Sequence, residues 1–297
     1  MRPAGAVPWF QAAGRVLCTP CARGRHAYVA QGVQAQAAAE GRLCVVGVTG
    51  GDPERELATV RLARREHAAC VIIAGAAVDR GSGYAHVLAA AGLRPVLCGH
   101  PPPGPGLPAL TVGYDDAGGA YAITSHLLSA GHRRILFLGQ GPGDRLAGYR
   151  AALAAFRTPH DPRLEVEGAM ERKDGHRMIR DRLAAGPPDF TAVLAGNDLV
   201  AAGARQALRE HGLRVPGDIS LAGFGDLPPS ADIDLTTVHV PYEELGRTAV
   251  RLALRRGQDR TSAAGHVLLG THIVVRGSVR PLPGSGAPAV APRRGPG

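Results

Sequence analysis

The sequence predicts an α/β protein of two lobes, each a doubly wound parallel sheet, joined by a hinge of crossover strands. Short apolar runs alternate with amphipathic helical patterns along most of the 297 residues. This alternation is typical of parallel sheets covered on both faces by helices. The strand–helix units outnumber those of one doubly wound sheet, and a proline-rich stretch at residues 101–108 divides them near the middle.

Four predicted strands precede the proline-rich stretch. Apolar runs bounded by Gly, Pro or Asp place them at residues 15–18, 43–48, 70–74 and 95–98. Helical periodicity predicts helices at residues 28–40, 53–66 and 83–91. The second of these helices has the clearest start, because Asp52 can cap it and Pro53 stands at its first position.

The second half of the chain repeats the pattern. Strands are predicted at residues 135–138, 192–194 and 219–224. Helices are predicted at residues 117–130, 146–156, 174–185, 198–210 and 241–256. The last helix and the strands around it are expected to complete both lobes.

The predicted domain boundaries follow from this pattern. The N-terminal lobe takes residues 14–112 with about 239–267, and the C-terminal lobe takes residues 113–238 with about 268–280. Residues 1–13 and the tail 281–297, which is rich in Pro, Gly, Ala and Arg, are expected to be disordered.

The basic charge alone does not identify a nucleic-acid-binding surface. The net charge is +9 and the pI about 9.9, yet the basic residues are scattered. Short basic groups stand at the ends of predicted helices, where they complement the helix dipole. We therefore favour this structural role over a phosphate-binding patch.

The sequence also predicts the compartment and the absence of a metal site. No run of about 18 apolar residues occurs, so no membrane span is expected. The first residues lack the pattern of an export signal, so the protein is expected in the cytoplasm. The five cysteines form an odd number, and the pair Cys18 and Cys21 has no second ligand pair for zinc. We expect no metal and no cofactor.

Enzymatic signatures are missing from the sequence. The loop at residues 139–144 follows a predicted strand and precedes a helix, as a dinucleotide-binding loop would. Asp144 stands where the fingerprint needs a small residue, and Pro142 removes an amide donor. Asp115 and Asp116 are interpreted as cap and turn residues. The chain is therefore not expected to be an enzyme.

A series of short motifs carries a family resemblance. They lie, in order, at residues 51–56, 115–121, 126–127, 131–135, 145–150, 196–198, 215–220, 223–224, 235–238, 241–246 and 275–278. Together these stretches resemble the effector-binding portion of the LacI/GalR family of bacterial transcriptional regulators. The resemblance implies a fold like that of type I periplasmic binding proteins.

The resemblance also implies an effector site. Open α/β sheets bind ligands at the carboxyl ends of their strands, where Arg145 and Asn197 follow predicted strands. The matching arginine of the family contacts the effector, and a guanidinium suits hydroxyls or a carboxylate. Asn197 and Asp198 are either ligand contacts or helix caps, and Phe224 ends a strand at the same edge.

Two candidate residues depart from the family pattern. The aspartate that usually follows Phe224 is replaced by Gly225, so Asp226 is a displaced substitute. His100 stands where an aspartate is often found, and it is either a hydrogen-bonding contact or structural. The predicted effector-binding residues are therefore Arg145, Asn197, Asp198, His100, Asp226 and Phe224.

The function implied by the resemblance is transcription regulation. A small-molecule effector, by family default a sugar or similar metabolite, is expected to control a homodimer. The residues before Arg15 do not match the family's DNA-reading helix-turn-helix, so operator binding is expected only in relatives that carry this headpiece. The alternatives are a stand-alone small-ligand binding protein of the periplasmic type and, less favoured, an α/β enzyme.

Overall fold

A computed structural model describes residues 16–20, 24–48, 52–65, 68, 70–74, 95–99, 110–255 and 265–283. The chain forms two compact units. Unit 1 comprises Met1–Tyr114 with Pro241–Leu269, and unit 2 comprises Asp115–Val240 with Gly270–Gly297. The chain passes from one unit to the other after residues 114, 240 and 269. Each of these points lies two residues after the boundary expected from the sequence.

Unit 1 is a parallel sheet with helices against it. Its strands are β1 (Val16–Pro20), β2 (Cys44–Val46), β3 (Cys70–Ala74), β4 (Pro95–Cys98), β5 (Leu110–Tyr114) and β11 (His266–Leu269), in the order β11-β5-β4-β3-β1-β2. Its described helices are α1 (Arg25–Ala39), α2 (Pro53–Arg65) and α8 (Tyr242–Arg255). Strand β3 is buried along its whole length, as expected for a central strand covered on both faces.

Unit 2 repeats this architecture. Its strands are β6 (Ile135–Leu138), β7 (Glu165–Val166), β8 (Ala192–Ala195), β9 (Ser220–Gly225), β10 (Thr236–His239) and β12 (His272–Val274), in the order β12-β10-β9-β8-β6-β7. Its helices are α3 (Asp116–Ser129), α4 (Asp144–Ala155), α5 (Arg172–Ala184), α6 (Asp198–Glu210) and the single turn α7 (Pro229–Asp232), with a 3-10 turn at Pro162–Leu164. All neighbouring strands are parallel except β12, which runs antiparallel to β10.

Helices α5 and α6 cross at glycines, which lets their backbones approach closely. A Cβ atom on Gly203 of α6 would overlap the carbonyl oxygen of Arg172. A Cβ atom on Gly175 of α5 would overlap the carbonyl oxygen of Val200. The pair α1 and α8 is built in the same way, with Gly32 against Glu243 and Gly246 against Val29. Glycine is needed at these positions for space.

The sequence predictions of strands and of the C-terminal tail need two corrections. The individually predicted runs did not include strands β5, β7, β10, β11 and β12, because each has only two to five residues and carries a polar residue or glycine among its apolar ones. The predicted tail begins too early, since residues 281–283 are described and the Leu282 N–H donates to the Ala130 carbonyl at 2.8 Å. The predicted helix at 83–91, residues 1–13 and residues 284–297 lie outside the described residues.

Within the described ranges, none of the helices combines the length and the apolar character needed to cross a bilayer.

Candidate functional site

The candidate site lies at the carboxyl ends of the parallel strands of unit 2. Arg145 follows β6, Asn197 and Asp198 follow β8, and Asp226 follows β9. Because parallel strands end at the same edge of a sheet, these residues share that edge. The contacts described below join the loops after β6, β8 and β9 into one polar region.

Arg145 is held in a fixed orientation on unit 2. Its Nε donates to Asp116 Oδ1 at 2.5 Å, and its Nη1 donates to the carbonyl of Gly196. The guanidinium carbon lies 4.0 Å from the centroid of the Phe224 ring, which is a cation–π distance. One helix start and two strand ends therefore hold the guanidinium of Arg145, whose side chain is about one-fifth exposed.

The Phe224 side chain supports Arg145 and does not present an exposed ring face to a ligand. Phe224 is the fifth residue of β9 and is buried, with only 3% of its surface exposed. The contact with Arg145 covers one face of the ring. The Phe224 ring therefore helps to hold the Arg145 guanidinium in its position at this edge.

Asn197 is the N-cap of α6. Its Oδ1 accepts from the Val200 N–H at 2.9 Å, which satisfies one of the unpaired donors of the helix start. Its Nδ2 donates to the Met170 carbonyl at 3.0 Å. The side chain is half-buried, so the cap role is established by geometry and ligand contact stays a prediction.

Asp198 has an internal role: Asn197 takes the N-cap position, which corrects the cap alternative for Asp198, and ligand contact by Asp198 stays a prediction. Its carboxylate is buried and accepts hydrogen bonds from three donors: Leu227 N–H at 3.1 Å, Ser230 Oγ at 2.7 Å and Thr237 Oγ1 at 2.6 Å. Burial raises the pKa of this carboxyl, against the lowering effect of the hydroxyl donors. Asp198 ties β8 to the loop after β9, and Asn197 is the cap.

Asp226, which follows β9, forms a polar cluster with His239, the last residue of β10, and with Arg276, which follows β12. Its Oδ1 accepts from Arg276 at 2.7 Å and its Oδ2 lies 3.0 Å from His239 Nδ1. Burial raises the pKa of Asp226, but the hydrogen bonds from Arg276 and His239 outweigh it and lower the pKa below its ordinary value. The His239 and His272 rings pack with centroids 4.8 Å apart.

The backbone at Asp226 explains where its carboxylate goes. Its φ is +55°, in the left-handed region that non-glycine residues seldom adopt. Gly225 before it also has a positive φ, of +135°. This turn directs Asp226 toward Arg276 and His239, so the displaced aspartate forms an internal ion pair.

Sequence reasoning missed Asp116 and Arg276. Asp115 is the cap of α3, since it accepts from the Gly118 N–H at 2.7 Å. Asp116 instead pairs with Arg145, which lies 29 positions later. No spacing rule predicts such a pair, and only the adjacency of the α3 and α4 starts reveals it. His100 lies outside the described residues.

Among the side chains that the structure describes, there is no metal centre, and the thiols of Cys44, Cys70 and Cys98 have raised pKa values. The described residues contain no cluster of three or more His, Cys, Asp or Glu side chains arranged to hold an ion. Burial raises the pKa of Cys70 and of Cys98 to about 12, so both thiols stay protonated at neutral pH. Cys21 of the Cys18–Cys21 pair lies outside the described residues.

Comparison with known protein families finds a match that covers most of unit 2. The profile of the periplasmic binding protein-like domain matches residues 124–279, more than half of the chain. In sequence, the transcriptional regulator CelR of Thermobifida fusca is 35% identical over 184 residues, which cover 58% of this chain and 54% of CelR. The chain spans about half the length of the curated relatives it matches.

Solved structures extend the similarity to nearly the whole chain. A complex of a transcriptional regulator CelR with cellobiose has a TM-score of 0.79 at 28% identity, covering 89% of this chain and 84% of that one. A LacI-family protein from Sanguibacter keddieii has a TM-score of 0.76 at 30% identity, covering 92% and 98%. These proteins are regulators of a non-enzymatic family, which removes the α/β-enzyme alternative.

Proposed function

We propose that this chain, which belongs to the LacI family of regulators with a periplasmic binding protein-like domain, binds a small polar effector at the strand ends of unit 2. The proposed contacts are Arg145 and Asn197, with Phe224 and Asp226 supporting the edge. His100 lies outside the described residues, and its role as an effector contact stays a prediction. Asp198 acts within the fold.

The geometry of Arg145 carries this proposal. The Arg145 guanidinium is mostly buried and is held by a carboxylate, a carbonyl and an aromatic ring. It has therefore lost most of its rotational freedom. Preorganised donors bind a ligand without a further loss of side-chain entropy. An exposed ion pair contributes only about 0–1 kcal/mol to protein stability. Stability alone is therefore a weak reason to hold Arg145 by three contacts.

The proposed effector is a sugar or a metabolite of similar size. Guanidinium donors and a side-chain amide suit hydroxyl oxygens. The related CelR was solved with cellobiose, which supports the same ligand class for this chain. No enzymatic step is part of the proposal.

At the level of the whole regulator, we propose that the chain forms a homodimer in the cytoplasm and that its effector controls operator binding. Control requires that the effector bind one conformation of the chain better than another. The matched relatives are helix-turn-helix regulators, so operator contact is proposed through such a headpiece.

A thermal-shift screen of neutral sugars and nucleosides on the purified chain tests the proposed function. A true effector raises the melting temperature by mass action, by more as its concentration exceeds Kd. We expect at least one compound to do so at millimolar concentration, and calorimetry then gives its Kd. A panel without any stabilising compound would contradict a sugar-like effector.

A further inference from the structure

Two ion pairs lie at the candidate site of unit 2, one holding Arg145 and the other holding Asp226. Arg145 pairs with Asp116 at 2.5 Å, and Arg276 pairs with Asp226 at 2.7 Å. All four side chains are partly buried, with 14–24% of their surface exposed. Each pair therefore offers hydrogen-bonding groups, while the opposite charges of its two members cancel.

The Arg145–Asp116 pair changes which ligands the guanidinium can bind. A carboxylate or phosphate placed on Arg145 would meet the Asp116 carboxylate within a few ångströms. The interaction of two such charges is poorly screened in a partly buried site. The Gly196 carbonyl, which also faces Arg145, adds a second electronegative oxygen. A hydroxyl group carries no charge, so it accepts a hydrogen bond from the guanidinium without this repulsion.

We propose that Asp116 is a specificity-determining and positioning residue, which makes the Arg145 site select uncharged polyhydroxylated effectors over carboxylated or phosphorylated ones. This inference rests on the proposed function, because it names the ligand class of the same site. Asp116 acts through Arg145: it fixes the guanidinium and cancels its charge. Removing the Asp116 charge should convert Arg145 into an anion-binding group.

Inorganic phosphate is the first probe, because its use does not depend on the identity of the effector. We expect the variant Asp116→Asn to bind phosphate at Arg145 at least about tenfold more tightly than the unaltered protein. The readout is the Nε–Hε NMR signal of Arg145 during titration, assigned by its loss in Arg145→Gln. Asp116→Glu, which keeps the charge, should restore the weak binding.

Asp144→Asn is the matched control. Asp144 also stands in the first turn of a helix, is exposed, and immediately precedes Arg145. Its substitution removes the same charge without touching the ion pair, so phosphate affinity at Arg145 should stay at the original level. Equal phosphate affinity in the unaltered protein and Asp116→Asn would overturn the inference, as would an equal gain in Asp144→Asn.

A second titration separates this inference from the proposed function. The sugar that stabilises the protein best is compared with its own phosphorylated derivative, for example glucose with glucose 6-phosphate. We expect the unaltered protein to prefer the neutral member and Asp116→Asn to lower that preference at least about tenfold. Sugar binding with an unchanged preference refutes the role of Asp116 alone. Absence of sugar binding refutes the proposed function, and with it the assigned ligand class.

Discussion

Replacing Gly203 by alanine should destabilise unit 2. Gly203 lies where α6 crosses α5, and a Cβ atom there would overlap the Arg172 carbonyl oxygen and lie 2.8 Å from the His176 amide nitrogen; real Cβ atoms essentially never come within 3.0 Å of another atom. Both neighbours are backbone atoms of α5, so no side chain can rotate away. The two helices must therefore move apart.

The size of the effect follows from two opposing terms. Overpacking a closely packed contact costs about 1–3 kcal/mol, and a backbone–backbone overlap belongs at the upper end of that range. Alanine regains about 1 kcal/mol over glycine through helix propensity. We expect a net loss of about 2 kcal/mol in the free energy of unfolding, which lowers the melting temperature by about 4–8 °C for a unit of this size.

Urea unfolding followed by circular dichroism measures this loss. Gly270→Ala is the matched control, because a Cβ atom at Gly270 has nothing within 4 Å, and it should leave the midpoint unchanged. A Gly203→Ala variant as stable as the unaltered protein would refute the close crossing of α5 and α6.

Two further predictions concern buried polar groups of unit 2. Asp198→Ala should lower the free energy of unfolding by at least about 2 kcal/mol, because it leaves three donors unpaired; an unchanged urea midpoint would contradict this. Burial lowers the pKa of His132 from 6.5 to about 4 in the folded protein. Between these two pH values the ring is therefore mostly neutral in the folded protein and mostly protonated in the unfolded protein. Stability contributed by neutral His132 is thus present above pH 6.5 and is lost as pH falls toward 4, by about 3 kcal/mol in total. His132→Gln should flatten this part of the stability profile, and an equally steep profile would count against the assignment.

The fold could be predicted largely from local patterns. The runs at 70–74, 95–98 and 135–138 coincide with β3, β4 and β6, because buried parallel strands are continuous apolar stretches bounded by turn residues. Helix α6 was predicted with its observed bounds, since Asn197 and the apolar periodicity mark its start. Strands such as β7, with two half-buried residues, carry no such signal.

The candidate site was predictable only in part. The position of Arg145 after a strand could be inferred, because parallel strands bring their carboxyl ends to one edge. The partners of Arg145 and Asp226 could not, since Asp116 and Arg276 lie 29 and 50 positions away. The internal contacts of Asp198 could not be predicted either, because the sequence does not show that Ser230 and Thr237 converge on its carboxylate.

Calorimetric titration of the best-stabilising sugar into Arg145→Gln measures how much Arg145 contributes to effector binding. We expect Kd to rise at least about tenfold, because the variant loses charge-assisted hydrogen bonds to the ligand. Arg150→Gln is the control on the same helix; Arg150 is paired with Glu165 at 2.5 Å, and its replacement should leave Kd unchanged. An Arg145→Gln variant that binds the sugar as tightly as the unaltered protein would contradict an effector site built on Arg145.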